Sequence, residues 1–532
     1  MKNTSLLFQN LTRCFIFSLA LVLICMPTSA QNGIRLNTPD AYKGYTLCTS
    51  NFGGKTYLLD NCGDIVNTWN NTNPQYYCRL TEDGNLIYVS NNSIIERSWD
   101  NNHVNQATVT SSGLRLDYEV IKLENGNYLA ASRRIKNSAF FDEIGWSPSV
   151  IKPDRVDGVV ELSPNGSVVW EWNISDHTIQ DKISSAPNFG NIAEHPELID
   201  VNSISSFDWQ FEESFMINSI DYNPELDQIL LSVRKVNEIM VIDHSTTTVE
   251  ARGSTGGDSG KGGDILYRWG NPQNYKQGSE SDRKLYFQHN PNWVKYGEHK
   301  GKIIMYNNGL SRFVPGVGSM SSVHIIDPPI DNDGNYDLES GLAYEPSAPD
   351  VTIDEVTTGN MFYSGYTSGA QVLPNGNIYI TVGQPSDFLE VETDGTLVWK
   401  YTLANSSYIY RTEQYAPDFP GFEGRDLTAS GTVEFPSSTY NCELFTATSE
   451  LGLNDFFKVQ FEQSSNLLTV INLESYSNIL QIRNVQGQLI HSLKDVNAGT
   501  QISLDHVSNG LYYITILDTK NKKKHTEKIA KF

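Results

Sequence analysis

Residues 370–401 read AQVLPNGNIYITVGQPSDFLEVETDGTLVWKY. Apolar and polar residues alternate on both sides of Asn375-Gly376-Asn377, and again on both sides of Asp394-Gly395. A period of two marks strands, and Asx-Gly centres supply the left-handed residues of tight hairpin turns. Two hairpins in tandem make one four-stranded antiparallel unit.

The unit recurs along the chain. RLTEDGNLIYVS (79–90) and VIKLENGNYLAAS (120–132) repeat the first hairpin, and GVVELSPNGSVVWEW (158–172) and TYLLDNCGDIVNTW (56–69) repeat the second. Radial repetition of such units is the sequence sign of a β-propeller. Units are expected around 44–70, 79–110, 119–172, 216–252, 287–327 and 368–401. Residues 31–445 are therefore expected to form an all-β domain, a six-bladed β-propeller, with the N-terminal strands closing the ring against the last blade. The tryptophans that end the hairpins are expected to pack blade on blade. Segments 175–208, 253–283, 309–322 and 328–359 run between units, and loops of that length in compact domains often carry function.

Charge divides the chain. Of its 532 residues, 39 are Lys or Arg and 62 are Asp or Glu, a net charge of -23. From Lys458 onward there are nine Lys/Arg and six Asp/Glu, which leaves -26 on the preceding body. Such a body repels nucleic acid and anionic membrane. The change of sign marks a boundary, with a linker expected at 446–455 and a small β-sandwich at 456–532, where short strands alternate with Asn-Gly and Gln-Gly turns. At the other end, Lys2 and Arg13 precede CFIFSLALVLICM (14–26) and Pro27-Thr28-Ser29-Ala30. That is the pattern of a secretory signal over residues 1–30. No later stretch approaches the roughly 18 apolar residues of a spanning helix, so an exported chain without a membrane span is expected.

Several chemistries are disfavoured. Cys14 and Cys25 leave with the signal, and Cys48, Cys62, Cys78 and Cys442 allow three disulfide pairings in an oxidising compartment. Their spacing is no zinc signature and HExxH is absent, so no metal is expected. STGGDSGKGGD (254–264) fails as a phosphate loop, because Thr255 stands where the first glycine belongs and Gly262 follows Lys261. Its glycines are better suited to close backbone approach. DNDGNYD (331–337) lacks the downstream glutamate of a calcium loop and reads as a solvated turn. No GxSxG elbow occurs, and no cofactor is expected. His177 and His244 each follow an aspartate, a pair suited to tying a turn, although His177 also opens a long loop and is a candidate substrate-binding residue.

Eight segments in order carry a family resemblance: VVWEWNISDHTIQD (168–181), INSIDYNPELDQILLSVR (217–234), VIDHSTTTVEA (241–251), TGGDSGKGGDILYRWGNP (255–272), QHN (288–290), YNNGLSR (306–312), SGAQVLPNGN (368–377) and YRTEQYAPDFPGFEGRDLT (410–428). Together, over 44–428, the chain resembles the bacterial arylsulfotransferase family, in a secreted Bacteroidetes-type branch. The resemblance implies a six-bladed propeller that moves a sulfuryl group from a phenolic sulfate ester to another phenol, without a nucleotide donor, through a sulfated histidine. It implies His289 and Arg312 as catalytic groups, the histidine holding sulfuryl or phenolic oxygen and the arginine clamping sulfate by paired N–H donors. Asn218 matches the asparagine of a His-x-Asn-Ser motif, and Asn308 would add a neutral donor to substrate.

The chain also departs from the family. The histidine of that motif is replaced by Met216, a second by Ser254, and the nucleophile's place near Ser368 offers only Tyr366, Thr367 and Ser368. No histidine lies between His324 and His491. Two functions stay open: an aryl-sulfate sulfotransferase, or a non-catalytic surface propeller that lost the nucleophilic histidine and serves binding or structural roles; the expected small-molecule partner is a phenolic sulfate ester or other small aromatic anion. A quinone-dehydrogenase propeller is disfavoured, since no tryptophan-docking repeat spans the blades. NVQGQLI (484–490), SNGLYYITI (508–516) and the basic end KNKKKHTEKIAKF resemble the C-terminal sorting domain of the type IX secretion system of Bacteroidetes-type bacteria. That resemblance implies the type IX machinery as partner and a secreted or cell-surface location, reached through periplasm and outer membrane.

Overall fold

The structure is a computed structural model that describes residues 33–433, Cys442 and 457–531, outside segments 51–53, 71, 73–75, 147–152, 205–213, 315–317, 357–361 and 404–408 of the body and 463–464, 474–477, 485–488, 495, 498 and 519–522 of the C-terminal part. The expected signal (1–30) and linker (446–455) lie outside the described residues.

Six antiparallel sheets follow one another through the body, each an up-and-down meander. The first comprises Tyr45–Ser50, Lys55–Leu59 and Ile65–Asn70, and the second Cys78–Leu80, Leu86–Ser90, Ser93–Arg97 and His103–Thr108. The third runs Leu114–Lys122, Tyr128–Ile135, Arg155–Leu162 and Val168–Asn173. Ile217–Asn223, Gln228–Val233, Glu238–Asp243 and Tyr267–Trp269 make the fourth, and His289–Trp293, Ile303–Asn307, Ser322–Ile326 and Val351–Ile353 the fifth. The sixth is Gly369–Val372, Ile378–Val382, Asp387–Val391 and Leu397–Thr402. Its two hairpin turns use Gly376 (φ 90°) and Gly395 (φ 85°) in the left-handed region, as the opening segment requires.

Both chain ends of the body enter this array. Gly33–Asn37 adds a fifth strand to the sixth sheet by pairing with Leu397–Thr402. Glu413–Tyr415, from the far end, pairs with Tyr45–Ser50 and supplies the fourth strand of the first sheet.

Hydrogen bonds join each sheet to the next. Leu80 N–H donates to the Tyr415 hydroxyl (2.9 Å), Leu116 N–H to Asn92 Oδ1 (2.7 Å), and Met216 N–H to Asp157 Oδ2 (2.9 Å). Asn218 Nδ2 donates to the Gln288 carbonyl (2.8 Å), Asn292 Nδ2 to the Ala370 carbonyl (2.8 Å), and Gln371 Nε2 to the Gln414 carbonyl (2.8 Å). The last of these links sheet six to sheet one. Indoles make a second set of links. Trp69, Trp170, Trp269 and Trp399 each donate Nε1–H to the next sheet, at Ser98 O, Thr246 Oγ1, Pro346 O and Asn61 O respectively. All four are buried, so each indole joins a large apolar contact to a directed bond.

The glycine-rich loop shows the close approach expected of it: a Cβ on Gly263 would stand 2.1 Å from the Ala251 carbonyl and 2.7 Å from His177 Nε2. In the acidic turn, Asp331 Oδ1 accepts the Asp333 and Asn335 amides. One disulfide, Cys62–Cys442, is formed (Cα–Cα 5.4 Å), while Cys48 and Cys78 are buried thiols. Burial pushes them up, Cys48 to about 12 and Cys78 to about 11, so neither is a thiolate near neutral pH.

The C-terminal part has seven strands among the described residues, in sheets of three and four. Leu468, Val470 and Ile502 of one sheet share a buried core with Leu480, Ile482, Ile514 and Ile529 of the other. Among the described residues no helix is long and apolar enough to cross a membrane, and no cluster of His, Cys, Asp and Glu could hold a metal ion.

Candidate functional site

The edge strands that link sheet to sheet begin at one cluster of polar and aromatic side chains. Their first residues are bent: Met216 (φ 61°), Phe287 (60°), Asn290 (52°), Thr367 (62°) and Ser368 (86°) are all left-handed without being glycine. Backbone of this kind persists only where its surroundings hold it, and it gathers at functional sites. Here Asp157 accepts the Phe215 and Met216 amides, Asn237 Oδ1 accepts Phe287 N–H, and Ser219 Oγ accepts Asn290 N–H. Pairing also slips by a bulge between His289 and Asn292, which re-aims the side chains at the strand's start.

His289 lies at the centre, 4% exposed. Its Nδ1 is 2.7 Å from Asn308 Oδ1, and its ring centroid is 6.1 Å from that of Tyr410. Burial, reinforced by the Arg234 charge, pulls its pKa down to about 3. The imidazole is therefore neutral throughout the physiological range.

Arg234 follows the strand that pairs with Ile217–Asn223, and its amide donates to the Met216 carbonyl at 2.9 Å. The guanidinium is buried, 4.8 Å from the Phe287 ring centroid and 5.4 Å from that of Tyr366, and Nη1 is 3.6 Å from Met216 Sδ. Burial draws its pKa down to about 10, and the phenols of Tyr366, Tyr118 and Tyr410 oppose this. Arg234 stays charged at neutral pH.

Tyrosines wall the site. Tyr410 packs edge-on to Tyr118 (4.7 Å), Tyr118 to Tyr76 (5.0 Å), and the Tyr410 hydroxyl donates to the Asn218 carbonyl. Tyr76 is 40% and Tyr366 44% exposed, so aromatic faces lead from solvent to Arg234. Beside them lie two ion pairs, the buried Arg411–Glu119 (3.0 Å) and the half-buried Arg79–Glu413 (3.0 Å). The Arg234 guanidinium lies over the Phe287 and Tyr366 rings, and its charge acts on His289.

The residues singled out in sequence fall in three places. His289, Asn308 and Asn218 come together. Asn308 spends its amide on the Ser364 and Thr367 carbonyls (2.7 and 2.9 Å). Asn218 is fully buried, gives Nδ2 to Gln288, and its Oδ1 has no hydrogen-bond partner among the described residues. Arg312 is partly exposed on the turn after the second strand of sheet five, and its charge acts on His324, depressing that imidazole after burial does. His177 lies apart: buried and stacked on Trp172 (5.5 Å, 4°), it places Nδ1 2.8 Å from Asp264 and Nε2 2.9 Å from the Ala251 carbonyl. One ring nitrogen serves the end of the glycine-rich loop and the other the turn that precedes it. Arg234 and Tyr410 were not singled out, although the hairpin register that sets Ile217 opposite Val233 brings Arg234 to position 216.

Comparison with known proteins gives two family matches. Residues 27–323 match the family model described as arylsulfotransferase (ASST), and 453–531 match the secretion system C-terminal sorting domain. No curated protein matches the chain. Among solved structures, the periplasmic gluconolactonase PpgL of Pseudomonas aeruginosa is similar at 10% identity, covering 86% of this chain and 97% of that one, with a TM-score of 0.34. A luciferin-regenerating enzyme is similar at 9% identity over 71% of this chain and 97% of its own (TM-score 0.28). Hsv2 of Kluyveromyces marxianus stands at 7% identity over 68% of this chain and 84% of its own (TM-score 0.29).

Proposed function

Since this chain belongs to the arylsulfotransferase family, we propose that its six sheets are the blades of a closed β-propeller whose axial site moves a sulfuryl group between phenols. The donor is a phenolic sulfate ester, and no nucleotide takes part. The C-terminal sorting domain commits the protein to type IX export and to a secreted or surface location.

One observation carries the reading: a buried arginine beside a neutral histidine, reached between tyrosine faces. A sulfate monoester is anionic at one end and flat and apolar at the other. Arg234 matches the first and Tyr76, Tyr118, Tyr366 and Tyr410 the second. A cation in a largely dry site stabilises charge spread over the equatorial oxygens of a transferring sulfuryl group. Arg312, partly exposed, is assigned to the rim, where it draws the donor in.

The test is phenol-dependent release of 4-nitrophenol from 4-nitrophenyl sulfate by the full chain. Release that Arg234→Ala abolishes supports transfer. A second reading, a surface protein that binds aromatic anions without turnover, is favoured by Met216, Ser254 and the lack of histidine between His324 and His491. Binding without release would establish it.

A further inference from the structure

The hydrogen bonds of Asn308 fix more than its own side chain. Its amide nitrogen lies between two carbonyl oxygens, Ser364 O at 2.7 Å and Thr367 O at 2.9 Å. Only N–H can face two acceptors, so the amide orientation is settled and Oδ1 faces His289 Nδ1 at 2.7 Å. An acceptor at Nδ1 requires the proton there. In a neutral imidazole the other nitrogen is then an unprotonated lone pair.

We infer that Asn308 is a positioning residue that holds His289 as the Nδ1–H tautomer, so that bound phenol meets a bare Nε2 lone pair. His289 then accepts from the ligand and gives no hydrogen bond to sulfate oxygen. Among the described residues the side-chain hydrogen bond of the ring is the one at Nδ1, and the Phe287 backbone also acts on the ring. The charged and titratable groups that act on the ring are Arg234 and Arg411, with Tyr410 packed against it. Burial first, and then the two cations, keep a second proton off.

This rests on the proposed transfer and specifies its proton path. The acceptor phenol donates its O–H to Nε2 while its oxygen attacks sulfur. The new O–S bond forms as the donor's aryl O–S bond breaks. The proton on Nε2 then passes to the departing phenolate, and His289 returns to neutral. Aryl sulfate and phenol become phenol and aryl sulfate, with no oxidant and no covalent enzyme intermediate.

Nitrogen NMR of the full chain labelled with 15N-histidine, without substrate, reads the tautomer directly, with the His289 resonances assigned by their loss in His289→Gln. The expected spectrum at pH 7 shows a protonated Nδ1 and an unprotonated Nε2. A protonated Nε2 overturns the inference. Asn308→Asp keeps the acceptor and adds a charge, so both ring nitrogens should carry protons at pH 7; an unchanged spectrum overturns it. Asn308→Leu is expected to lower kcat roughly hundredfold, the scale of a lost proton-transfer group, with donor KM little changed. Equal losses in kcat and donor binding would mark Asn308 as structural support and overturn it. Absence of wild-type transfer would sink the proposed function, whereas the tautomer is decided by the spectrum alone.

Discussion

At position 216 the chain carries methionine where the family resemblance implies histidine. Its backbone is left-handed, a region histidine enters more readily than methionine, and its sulfur lies 3.6 Å from Arg234. A histidine there would add a donor beside the same cation. Met216→His should therefore raise transfer from 4-nitrophenyl sulfate by roughly tenfold, the scale of one hydrogen bond to a charged group. Initial rates decide, and an unchanged or lower rate would show that the site works by other groups. Arg234 illustrates what is hard to read at this scale. An arginine that ends an apolar strand looks like a solvated boundary residue, and its burial depends on Phe287 and Tyr366, both distant in sequence. His289 was legible because QHN stands in a recognisable order of segments. Its tautomer was not, because Ser364 and Thr367 must fold back onto Asn308 to fix it.

Among the sheets, His244 bridges the third and the fourth. Its ring nitrogens meet Asp227 Oδ1 at 2.6 Å and Glu161 Oε2 at 3.2 Å. Burial disfavours the charge, but hydrogen bonds to the two carboxylates prevail and lift the pKa to about 9. A histidine with a raised folded pKa adds stability that is complete below its unfolded value, near 6.5, and lost as pH rises through about 9. His244→Gln should lower Tm by about 2–4 °C at pH 6 and by little at pH 10. A pH-independent gap in thermal melts would refute the charged bridge. Hairpins were the most legible elements, because each Asx-Gly turn and its flanking alternation are local. The strand Glu413–Tyr415 was not: three residues carry no period, and its partner Tyr45–Ser50 lies at the other end of the body.

For the whole molecule, the closing segment both completes the first sheet and brings Tyr410 and Arg411 to the site. Beyond it, Ile65 and Gly431 pair through the backbone, and Cys62–Cys442 fastens the chain across a sequence separation of 380. A crosslink over so long a loop restricts the unfolded chain strongly, typically by about 2–5 kcal/mol. Cys442→Ser should lower the unfolding temperature by several degrees in calorimetry, and an unchanged melt would show that the disulfide adds nothing to closure. The C-terminal motifs told of export, and the recurring hairpins told of an all-β chain of antiparallel sheets. Which cysteines pair depends on where residue 442 returns, and that is set by long-range contacts.

Titration calorimetry of 4-nitrophenyl sulfate into the full chain tests the placement of the site most directly. Binding to the wild type is expected, with a loss of about tenfold to hundredfold for Arg234→Ala, as for a charged hydrogen bond, and a smaller loss for Arg312→Ala. Wild-type affinity in Arg234→Ala, with binding abolished by Arg312→Ala, would contradict that placement.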